Sequence, residues 1–446
     1  MRLRVLVALV GALSIASCSS GGGSGSVTPA SSSTVSQANT KFANATYDVT
    51  LLPTFGGVLG NAATINAREW VMGAADPAGD VVSHAALWIN GNGKDLGTLG
   101  GPNSAISWPI LNAFGVISGI SETADMNTYN EPWSCTGFFL PVVTPTGHVC
   151  VGFRWQNNSM QALPTLGGQD GYAAGNNNFG QIVGWAENTT HDPTCTNGQV
   201  LQFKPVLWDL FNHTHELPTL PGDPDGAATA INDFGQVVGI SGICDQAVGR
   251  FTAIHPVIWR HGSVSELFDP GSKSWNTPQA INDRGDVTGF INLPGAGDAA
   301  GQLQPIAFVW TPQHGLTKIP PLPGDAYSFG NGINDEGDVV GNSYGPNFAT
   351  VRAFIYHNGK AVDLNTLVPS GTPELVFANG IDDFGTIVGE ATTPSGNLGP
   401  AFSAHLPIGC DLNAAIAAAT KTQPQRKPLA LSIQTRQQLL RKYGIR

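Results

Sequence analysis

Charged residues are scarce in this chain of 446 residues, because Asp, Glu, Lys and Arg together make up only 12% of it. The acids outnumber the bases by 32 to 21, which gives a formal net charge of -11 at pH 7. A nucleic-acid-binding surface needs clustered positive charge, so we expect no nucleic-acid partner. Low charge combined with 56 Gly and 31 Pro is typical of a secreted all-β protein.

Catalytic and metal-binding motifs are also missing. The sequence contains no G-x-S-x-G elbow, no H-E-x-x-H helix and no Cys-His constellation. Two Asp-x-Gly-Asp runs, at residues 282–286 and 334–338, lack the alternating ligands and terminal Glu of a calcium loop. We therefore predict no catalytic residue, no metal and no cofactor. An acid/base pair assembled from distant loops stays open, because spacing along a sequence does not reveal it.

Long apolar runs are absent after the first twenty residues. The one such run, residues 5–15, follows Arg2 and Arg4 and precedes Ile15-Ala16-Ser17-Cys18. This order predicts a lipoprotein signal peptide over residues 1–18 with Cys18 as the lipidated N-terminus; an ordinary secretory signal is the alternative. Ser19 favours the outer membrane, and the lipid would be the only membrane anchor. Residues 19–46, rich in Ser, Gly, Thr and Ala, are interpreted as a flexible tether.

One segment occurs seven times, about 50 residues apart. It consists of an apolar residue, a polar pair, a free position, Gly and a Val/Ile-rich run, as in Ile231-Asn-Asp-Phe-Gly-Gln-Val-Val-Gly239. The copies begin at Asn66, Asn112, Asn177, Asn232, Asn282, Asn334 and Asp382. This pattern predicts a tight antiparallel hairpin in which Gly takes the positive φ. Glu69 occupies the Gly position of the first copy, so we expect the most distorted turn there.

Each repeat contains two further predicted strands. A third strand ends in an aromatic residue at 84–88, 204–208, 255–259, 306–310 and 352–356. A fourth strand carries a Leu-Gly/Pro-Thr-Leu signature, as at residues 95–101, 163–168 and 217–222. Four short strands in a period near 50 residues indicate the blade of a β-propeller.

The ends of the array predict how the ring closes. The seventh unit stops after its third strand, residues 401–404, while an isolated fourth-strand signature precedes the first unit at residues 51–57. An open ring would leave unpaired sheet edges. We therefore predict an all-β fold over residues 47–410, a seven-bladed β-propeller of four-stranded antiparallel blades that is closed by an N-terminal strand.

The repeat resembles the HAF-repeat extracellular proteins of bacteria, which are named for a His-Ala-Phe run followed by Trp. The resemblance covers roughly residues 47 to 407 through the Ile-Asn-Asp-x-Gly hairpin, His84-Ala-Ala-Leu-Trp88 and Asp95-Leu-Gly-Thr-Leu-Gly-Gly101. Only His84 and His255 keep the His of the motif. The resemblance implies a propeller-like extracellular repeat and no established activity.

Loop lengths point to a binding face. The connection between the second and third strands is longer in blades 2 to 5 than in blades 1, 6 and 7, whereas the Asn-Asp-x-Gly turns of the opposite face are uniform. Variable loops on a constant scaffold are the usual place for recognition. We predict a glycan or protein site there, formed by Trp133, Phe138, Phe139, His191, Asp192, Asp245 and Arg250. The alternative is that these insertions only pack on each other.

Five cysteines remain after Cys18. In an oxidising compartment we expect Cys135 to pair with Cys150, and Cys195 with Cys244 across adjacent blades, which leaves Cys410 over. Residues 411–446 carry seven bases against one acid and are predicted to be partly helical. This tail is either a basic partner-binding arm or a segment that docks on, or hangs from, the acidic body.

Two functions are consistent with these features. The preferred hypothesis is a monomeric, lipid-anchored, non-enzymatic binding module of the cell envelope that uses the enlarged loops of blades 2 to 5. The alternative is a hydrolase or lyase acting on polysaccharide at the axial mouth of the propeller, which two carboxyl groups within about 5 to 10 Å of each other would favour.

Overall fold

The computed structural model describes residues 46–131, 138–139, 146–195, 198–245, 251–296, 303–407, 412–422 and 428–442. In this part of the chain, seven four-stranded antiparallel sheets form the blades of a propeller. The fold prediction is therefore confirmed in class, blade number and strand number per blade.

The strands follow one order in every blade, from the axis outwards. First strands of neighbouring blades contact one another; they are β2 (Gly56–Ile65), β6 (Gly100–Ala105), β10 (Gly171–Asn176), β14 (Asp225–Ile231), β18 (Thr277–Ile281), β22 (Tyr327–Ile333) and β26 (Leu375–Ile381). Second strands are β3 (Val71–Pro77), β7 (Ile117–Met126), β11 (Ile182–His191), β15 (Val237–Gly242), β19 (Val287–Asn292), β23 (Val339–Tyr344) and β27 (Ile387–Thr392).

The outer half of each blade is formed by the remaining strands. Third strands are β4 (His84–Ile89), β8 (His148–Gln156), β12 (Leu201–Trp208), β16 (His255–Arg260), β20 (Pro305–Thr311), β24 (Val351–His357) and β28 (Leu398–His405). Fourth strands are β5 (Asn92–Asp95), β9 (Ser159–Ala162), β13 (Thr214–Glu216), β17 (Ser263–Glu266), β21 (Gly315–Ile319), β25 (Lys360–Asp363) and, for blade 7, β1 (Asp48–Leu51).

The ring is closed by the N-terminal strand. β1 pairs antiparallel with β28, with Asp48 opposite His405 and Leu51 opposite Phe402. The backbone N–H of Leu52 then donates to the carbonyl of Ala401 at 2.8 Å. Since β28 would otherwise be an exposed sheet edge, the pairing removes the open edge at this seam of the ring.

The repeated motif forms the turn between the first and second strands of each blade, on one side of the ring that we call the turn face. Asn232 illustrates it: its side-chain Oδ1 accepts from the backbone N–H of Phe234 and Gln236 at 3.2 and 3.0 Å, and Gly235 has a φ of 70°. The expectation of a distorted first turn is wrong. Glu69 adopts a φ of 58° and keeps the turn hydrogen bond, from its N–H to the Asn66 carbonyl at 2.8 Å.

Asparagine side chains join the turns around the ring. The Asn66 Nδ2 donates to the Asn112 carbonyl of the next blade at 2.8 Å. Five equivalent bonds of 2.8–3.1 Å follow from Asn112, Asn177, Asn232, Asn282 and Asn334, each to the next blade. The seventh position holds Asp382, which has no amide N–H to donate.

The Leu-Gly/Pro-Thr-Leu signature does not form the fourth strand, which corrects the sequence-based assignment. In blade 1 the fourth strand ends at Asp95, and the signature is the connector to the next blade. Three of these connectors receive a hydrogen bond from a third-strand tryptophan of the next blade; the bonds are Trp88 Nε1 to Pro53 O at 2.8 Å, Trp208 Nε1 to Pro164 O at 2.9 Å and Trp259 Nε1 to Pro218 O at 2.7 Å. In these three blades the tryptophan that ends the third strand therefore binds the connector from the preceding blade and holds the two blades together.

The C-terminal tail docks on the ring. Helix α1 (Leu412–Thr422) buries Ala415, Ile416 and Ala419 in a cluster with Tyr47 and Leu367. Helix α2 (Ile433–Lys442) buries Leu439 with aromatic residues of blades 5 and 6. Of the two interpretations of the tail, the docked segment is the one seen in its described residues.

One predicted disulfide is confirmed. Cys195 and Cys244 are bonded and join the long loops of blades 3 and 4. Cross-linking residues 49 apart is worth about 4 kcal/mol in the chain-entropy model. Cys150 is also disulfide-bonded, but Cys135 lies outside the described residues, as do Cys18 and Cys410, so that pairing stays a prediction. Among the helices that the structure describes, none is long and apolar enough to cross a membrane.

Candidate functional site

A cavity of about 840 Å³ opens on the turn face where the ring closes. In the other blades a short turn joins the third strand to the fourth. In blade 7 the chain instead leaves β28 at His405 towards α1, while β1 enters separately at Asp48. The missing turn leaves space between blades 6, 7 and 1 and the start of α1, and we call this space the seam cavity.

The walls of the seam cavity combine carboxylates with apolar side chains such as Leu52 and Trp88. Carboxylates come from the turns of three blades, with Glu69 from blade 1, Glu336 and Asp338 from blade 6, and Asp383 from blade 7. Phe384 stands at the same cavity with 74% of its surface exposed. His357, His405 and Asn413 also line the cavity. The volume of the seam cavity lies within the range of small-molecule binding sites.

A histidine connects the cavity wall to the C-terminal helix. His357 Nδ1 contacts Asp338 Oδ1 at 2.5 Å, and its Nε2 lies 3.0 Å from Asn413 Oδ1. The Asn358 Nδ2 donates to the same Asn413 oxygen at 2.9 Å. A carboxylate that holds one ring nitrogen fixes the orientation of an imidazole. This arrangement both anchors α1 and places a polar imidazole in the cavity wall.

Exposed phenylalanines surround the axis on the turn face. They occupy the free position of the turn motif in four blades and are 67–74% exposed; they are Phe114, Phe179, Phe234 and Phe384. The sequence-based prediction missed them because it treated the uniform turns as structural only. The signal in the sequence was a phenylalanine at the free position of the turn, which points away from the sheet. Packing needs hydrophobic residues only at buried positions, so a phenylalanine at an exposed turn position indicates another role.

A row of four aspartates, Asp233, Asp283, Asp335 and Asp383, links the turns of blades 4 to 7. In three turns the backbone N–H of the aspartate donates to the aspartate side chain of the next blade: Asp233 to Asp283 at 2.9 Å, Asp283 to Asp335 at 2.9 Å and Asp335 to Asp383 at 2.8 Å. Burial, together with the charges of Asp233, Asp335 and Asp383, raises the pKa of Asp283. Burial and the Asp383 charge raise the pKa of Asp335, which Arg284 partly offsets. The mouth of the ring is therefore negative and repels anionic ligands.

The loop face, opposite the turn face, holds the residues predicted to bind a ligand. Phe139 is buried, and Phe138 is half-buried with its ring 4.7 Å from that of Tyr172. His191 is exposed and lies edge-on to Tyr129 at 5.4 Å. Trp133 and Arg250 lie outside the described residues, so the binding role of the group as a whole stays a prediction.

The two acids of that predicted site are enclosed by the loops themselves. The Asp192 Oδ1 accepts from the N–H and hydroxyl of Thr194 at 2.7 and 2.6 Å. The Asp245 Oδ2 accepts from the Phe251 N–H at 3.1 Å, and this side chain is 1% exposed. Burial removes Phe139 and Asp245 from contact with a ligand, so their role in this structure is to pack and order the insertions. Only His191 of the described members presents a free surface.

Buried carboxylates are the other notable feature of the loop face. Glu131, Asp170 and Glu187 are buried, and one oxygen of each lies within 4.8 Å of the others, which is a spacing that could hold a metal ion. Burial first, and then the charges of Asp170 and Glu131, raise the pKa of Glu187. Nearby, burial and the adjacent Asp192 raise the pKa of Asp225 to about 8 although the Phe203 N–H bonds to it. The Glu131–Asp170–Glu187 cluster and the Asp192–Asp225 pair each lie between loops and strands of adjacent blades.

No known protein family and no curated protein matches this chain. Among solved structures, it is similar to a streptogramin B lyase at 11% identity, with 81% of this chain and 98% of that chain covered and a TM-score of 0.44. A catalytically inactive virginiamycin B lyase from Staphylococcus aureus with quinupristin gives 12% identity, coverages of 81% and 100%, and a TM-score of 0.45. The acylaminoacyl peptidase of Pyrococcus horikoshii gives 11%, 79% and 51%, and 0.40. At these values the similarity carries no information on activity.

Proposed function

We propose that this protein is a cell-envelope binding module whose turn face receives a hydroxyl-rich glycan that is neutral or positively charged, with one sugar residue in the seam cavity. The observation that carries the proposal is the combination, in one cavity, of the exposed ring of Phe384 with the carboxylates of Glu69, Glu336 and Asp383. Aromatic faces pack on the apolar faces of sugars, and carboxylates accept hydrogen bonds from hydroxyl groups.

Charge supports the choice of ligand class. The seam cavity and the neighbouring row of aspartates bring several carboxylates together, and the whole chain has a net charge of -11. An acidic polysaccharide in the seam cavity would meet the like charges of Glu69, Glu336 and Asp383, which is costly. Neutral glycans and amino sugars meet no such repulsion.

The cell-envelope location in the proposal rests on three further features. The lipoprotein-type leader ending at Cys18 and the resemblance to HAF-repeat proteins favour the envelope, with the lipid as membrane contact. The Cys195–Cys244 disulfide supports an oxidising compartment. The enlarged loops of blades 2 to 5 are then a second surface, for which a protein or glycan partner stays part of the proposal.

The test is a glycan array that contains neutral, amino-sugar and uronic-acid oligosaccharides, followed by calorimetric titration of the best binder. We expect binding to neutral or amino-sugar probes and not to uronic acids. Phe384→Ala should weaken binding about tenfold, which corresponds to the loss of one stacked ring. Phe234→Ala is the matched control, because Phe234 has the same turn position and exposure but does not line the seam cavity.

A variant on the other face separates the two candidate surfaces. If His191→Ala on the loop face weakens binding while Phe384→Ala has no effect, the ligand binds through the enlarged loops and the seam-cavity proposal is wrong. Preferred binding of uronic-acid probes would contradict the charge argument.

A hydrolase or lyase remains the second candidate because of one observation. His357, held by Asp338 at 2.5 Å, lies in the wall of a cavity that also contains Glu69 and Glu336, and a carboxylate-oriented imidazole is a common general base once substrate displaces Asn413 from its Nε2. Polysaccharide incubated with the protein would then yield new chain ends. His357→Gln should abolish this product while binding persists; a binding module shows no product with either protein.

A further inference from the structure

A carboxylate in blade 1 differs from its counterparts in the repeat. The third residue after the last Gly of the turn motif is an acid in blades 1 to 3, namely Asp76, Glu122 and Glu187. The Glu122 Oε2 accepts from the backbone N–H of Asn103 at 2.9 Å and from its side-chain amide at 2.8 Å. The Glu187 Oε2 accepts from the N–H of Asp170 at 2.8 Å. In blades 2 and 3 this acid therefore holds the first strand of its own blade.

In blade 1 a different acid, Asp80, holds the first strand. The Asp80 Oδ1 accepts from the backbone N–H of Val58 and Leu59, at 2.6 and 3.3 Å. Asp76 is left with 1% of its surface exposed, and its Oδ2 has no hydrogen-bond partner among the described residues. Burial, with the nearby charge of Asp80, raises the pKa of Asp76 to about 8, although Ser83 bonds to it. An ionised oxygen that is buried without a partner destabilises the folded state.

A small cavity of about 40 Å³ accompanies this orphaned oxygen. It lies where blades 1, 2 and 7 meet, and apolar Leu59, Ala74, Ile106 and Phe138 line part of it. Oxygen-bearing side chains line the rest: Asn61, Asp76 and Ser83 of blade 1, Ser107 of blade 2 and Glu390 of blade 7. Glu390 is 2% exposed. The volume suffices for one ion with a water molecule.

We propose that this cavity is a binding site for a divalent hard cation, Ca²⁺ by preference, which bridges Asp76 of blade 1 and Glu390 of blade 7. The donor set contains only oxygen atoms, two of them from carboxylates, which suits Ca²⁺ and gives no soft ligand for zinc or copper. Five protein side chains around a space this small leave little room for the several waters that Mg²⁺ retains. The cation occupies the void and compensates the buried charge of Asp76.

The position gives the site a structural role. The interface between blades 7 and 1 lies where the N-terminal strand completes the ring. A cation shared by β3 and β27 joins these two blades directly and independently of β1. Binding to the closed ring and not to the unfolded chain stabilises the closed form.

The test is calorimetric titration of the EDTA-treated full chain with CaCl₂, combined with thermal unfolding. We expect one Ca²⁺ per chain and a rise in Tm of about 3 °C at a hundredfold excess over Kd. MgCl₂ should give a smaller rise. Asp76→Asn and Glu390→Gln should each abolish the increment, and Asp76→Asn should melt above the wild type in EDTA because it removes the uncompensated carboxylate.

Two matched variants test whether Ca²⁺ binds at Asp76 and Glu390 rather than at another buried acid. Glu122→Gln changes the equivalent position of blade 2, where the carboxylate is already bonded, and should retain the Ca²⁺ increment even if its own Tm falls. Glu187→Gln tests the buried acidic cluster with Glu131 and Asp170. Absence of any Ca²⁺ binding, binding that survives in Asp76→Asn, or an increment lost only in Glu187→Gln would each overturn the proposal.

Discussion

At the scale of single residues, the asparagine of each turn motif serves two purposes. Its oxygen closes the turn, as Asn232 Oδ1 does for Phe234 and Gln236, and its Nδ2 bonds to the next blade, as Asn232 does to the Asn282 carbonyl at 2.9 Å. Aspartate can perform only the first task. Asp382 accepts from Thr386 and Phe384, but its Oδ2 has no partner in the part of the chain that the structure describes.

Asp382→Asn is therefore expected to stabilise the ring. Burial raises the pKa of Asp382 to about 6, against 3.8 in the unfolded chain, despite the hydrogen bonds from Thr386 and Phe384. A raised pKa means that the folded state binds the proton more tightly, so the stability from this group is present below about pH 4 and is lost as the pH rises through 6. The variant should gain about 2 kcal/mol at pH 7.5 and little at pH 4.

Urea unfolding of both proteins at pH 4, 5, 6 and 7.5 measures this difference. Asn334→Asp is the inverse control, since it removes one existing amide bond to the Asp382 carbonyl, and it should lose stability at pH 7.5. A constant difference between Asp382→Asn and wild type across this pH range would contradict the argument.

At the scale of elements, the connector between blades is held by an aromatic side chain in addition to single backbone bridges such as that of Phe55 with Pro77. The indole of Trp259 donates to the Pro218 carbonyl at 2.7 Å, and this tryptophan is 1% exposed. The blade 2 connector has Gly97 at the proline position, with a φ of 77°. Proline holds φ near -65°, so the peptide beside Gly97 is oriented differently.

Trp259→Phe should lower the free energy of unfolding by about 2–3 kcal/mol, because it removes a buried hydrogen bond and leaves a smaller ring in the same space. Trp155→Phe is the matched control: its ring packs under Lys94 at 4.8 Å, and no indole hydrogen bond is found for it among the described residues. Urea denaturation followed by circular dichroism measures both. Equal losses in the two variants would show that ring volume, and not the indole bond, holds the connector.

At the scale of the whole molecule, the ring depends on four residues that are distant in sequence from their partners. β1 covers the edge of β28, and Tyr47 beside it is buried against Leu367 and α1. The chain between these ends forms all seven blades. Closure therefore converts a row of sheets into a single body with two distinct faces.

Removal of residues 1–51 is expected to destabilise the whole propeller by on the order of 4 kcal/mol, from the lost ladder hydrogen bonds and buried apolar surface. The exposed edge of β28 should also promote association. Removal of residues 1–45, which leaves β1 intact, is the control and should leave Tm unchanged. Size-exclusion chromatography and thermal unfolding compare the two. Identical behaviour would mean that blade 7 is stable without its fourth strand.

Periodicity by itself determined the number of blades, the turn chemistry and the closing strand, because each depends on local preferences and on counting strands. It also determined the Cys195–Cys244 pair, since the two long loops belong to neighbouring repeats. The signature at residues 95–101 was misplaced, because the real fourth strand, Asn92–Asp95, carries no apolar residue, whereas the connector after it does.

Only the tertiary structure decided where a ligand could fit. The seam cavity exists because blade 7 lacks a turn between its third and fourth strands, and its walls combine Glu69 with His357 and Phe384, which are up to 315 residues apart along the printed sequence. The enclosure of Phe139 and Asp245, and the orphaned oxygen of Asp76, depend likewise on how loops pack in three dimensions. A sequence records which residues are present, but burial and proximity are properties of the closed ring.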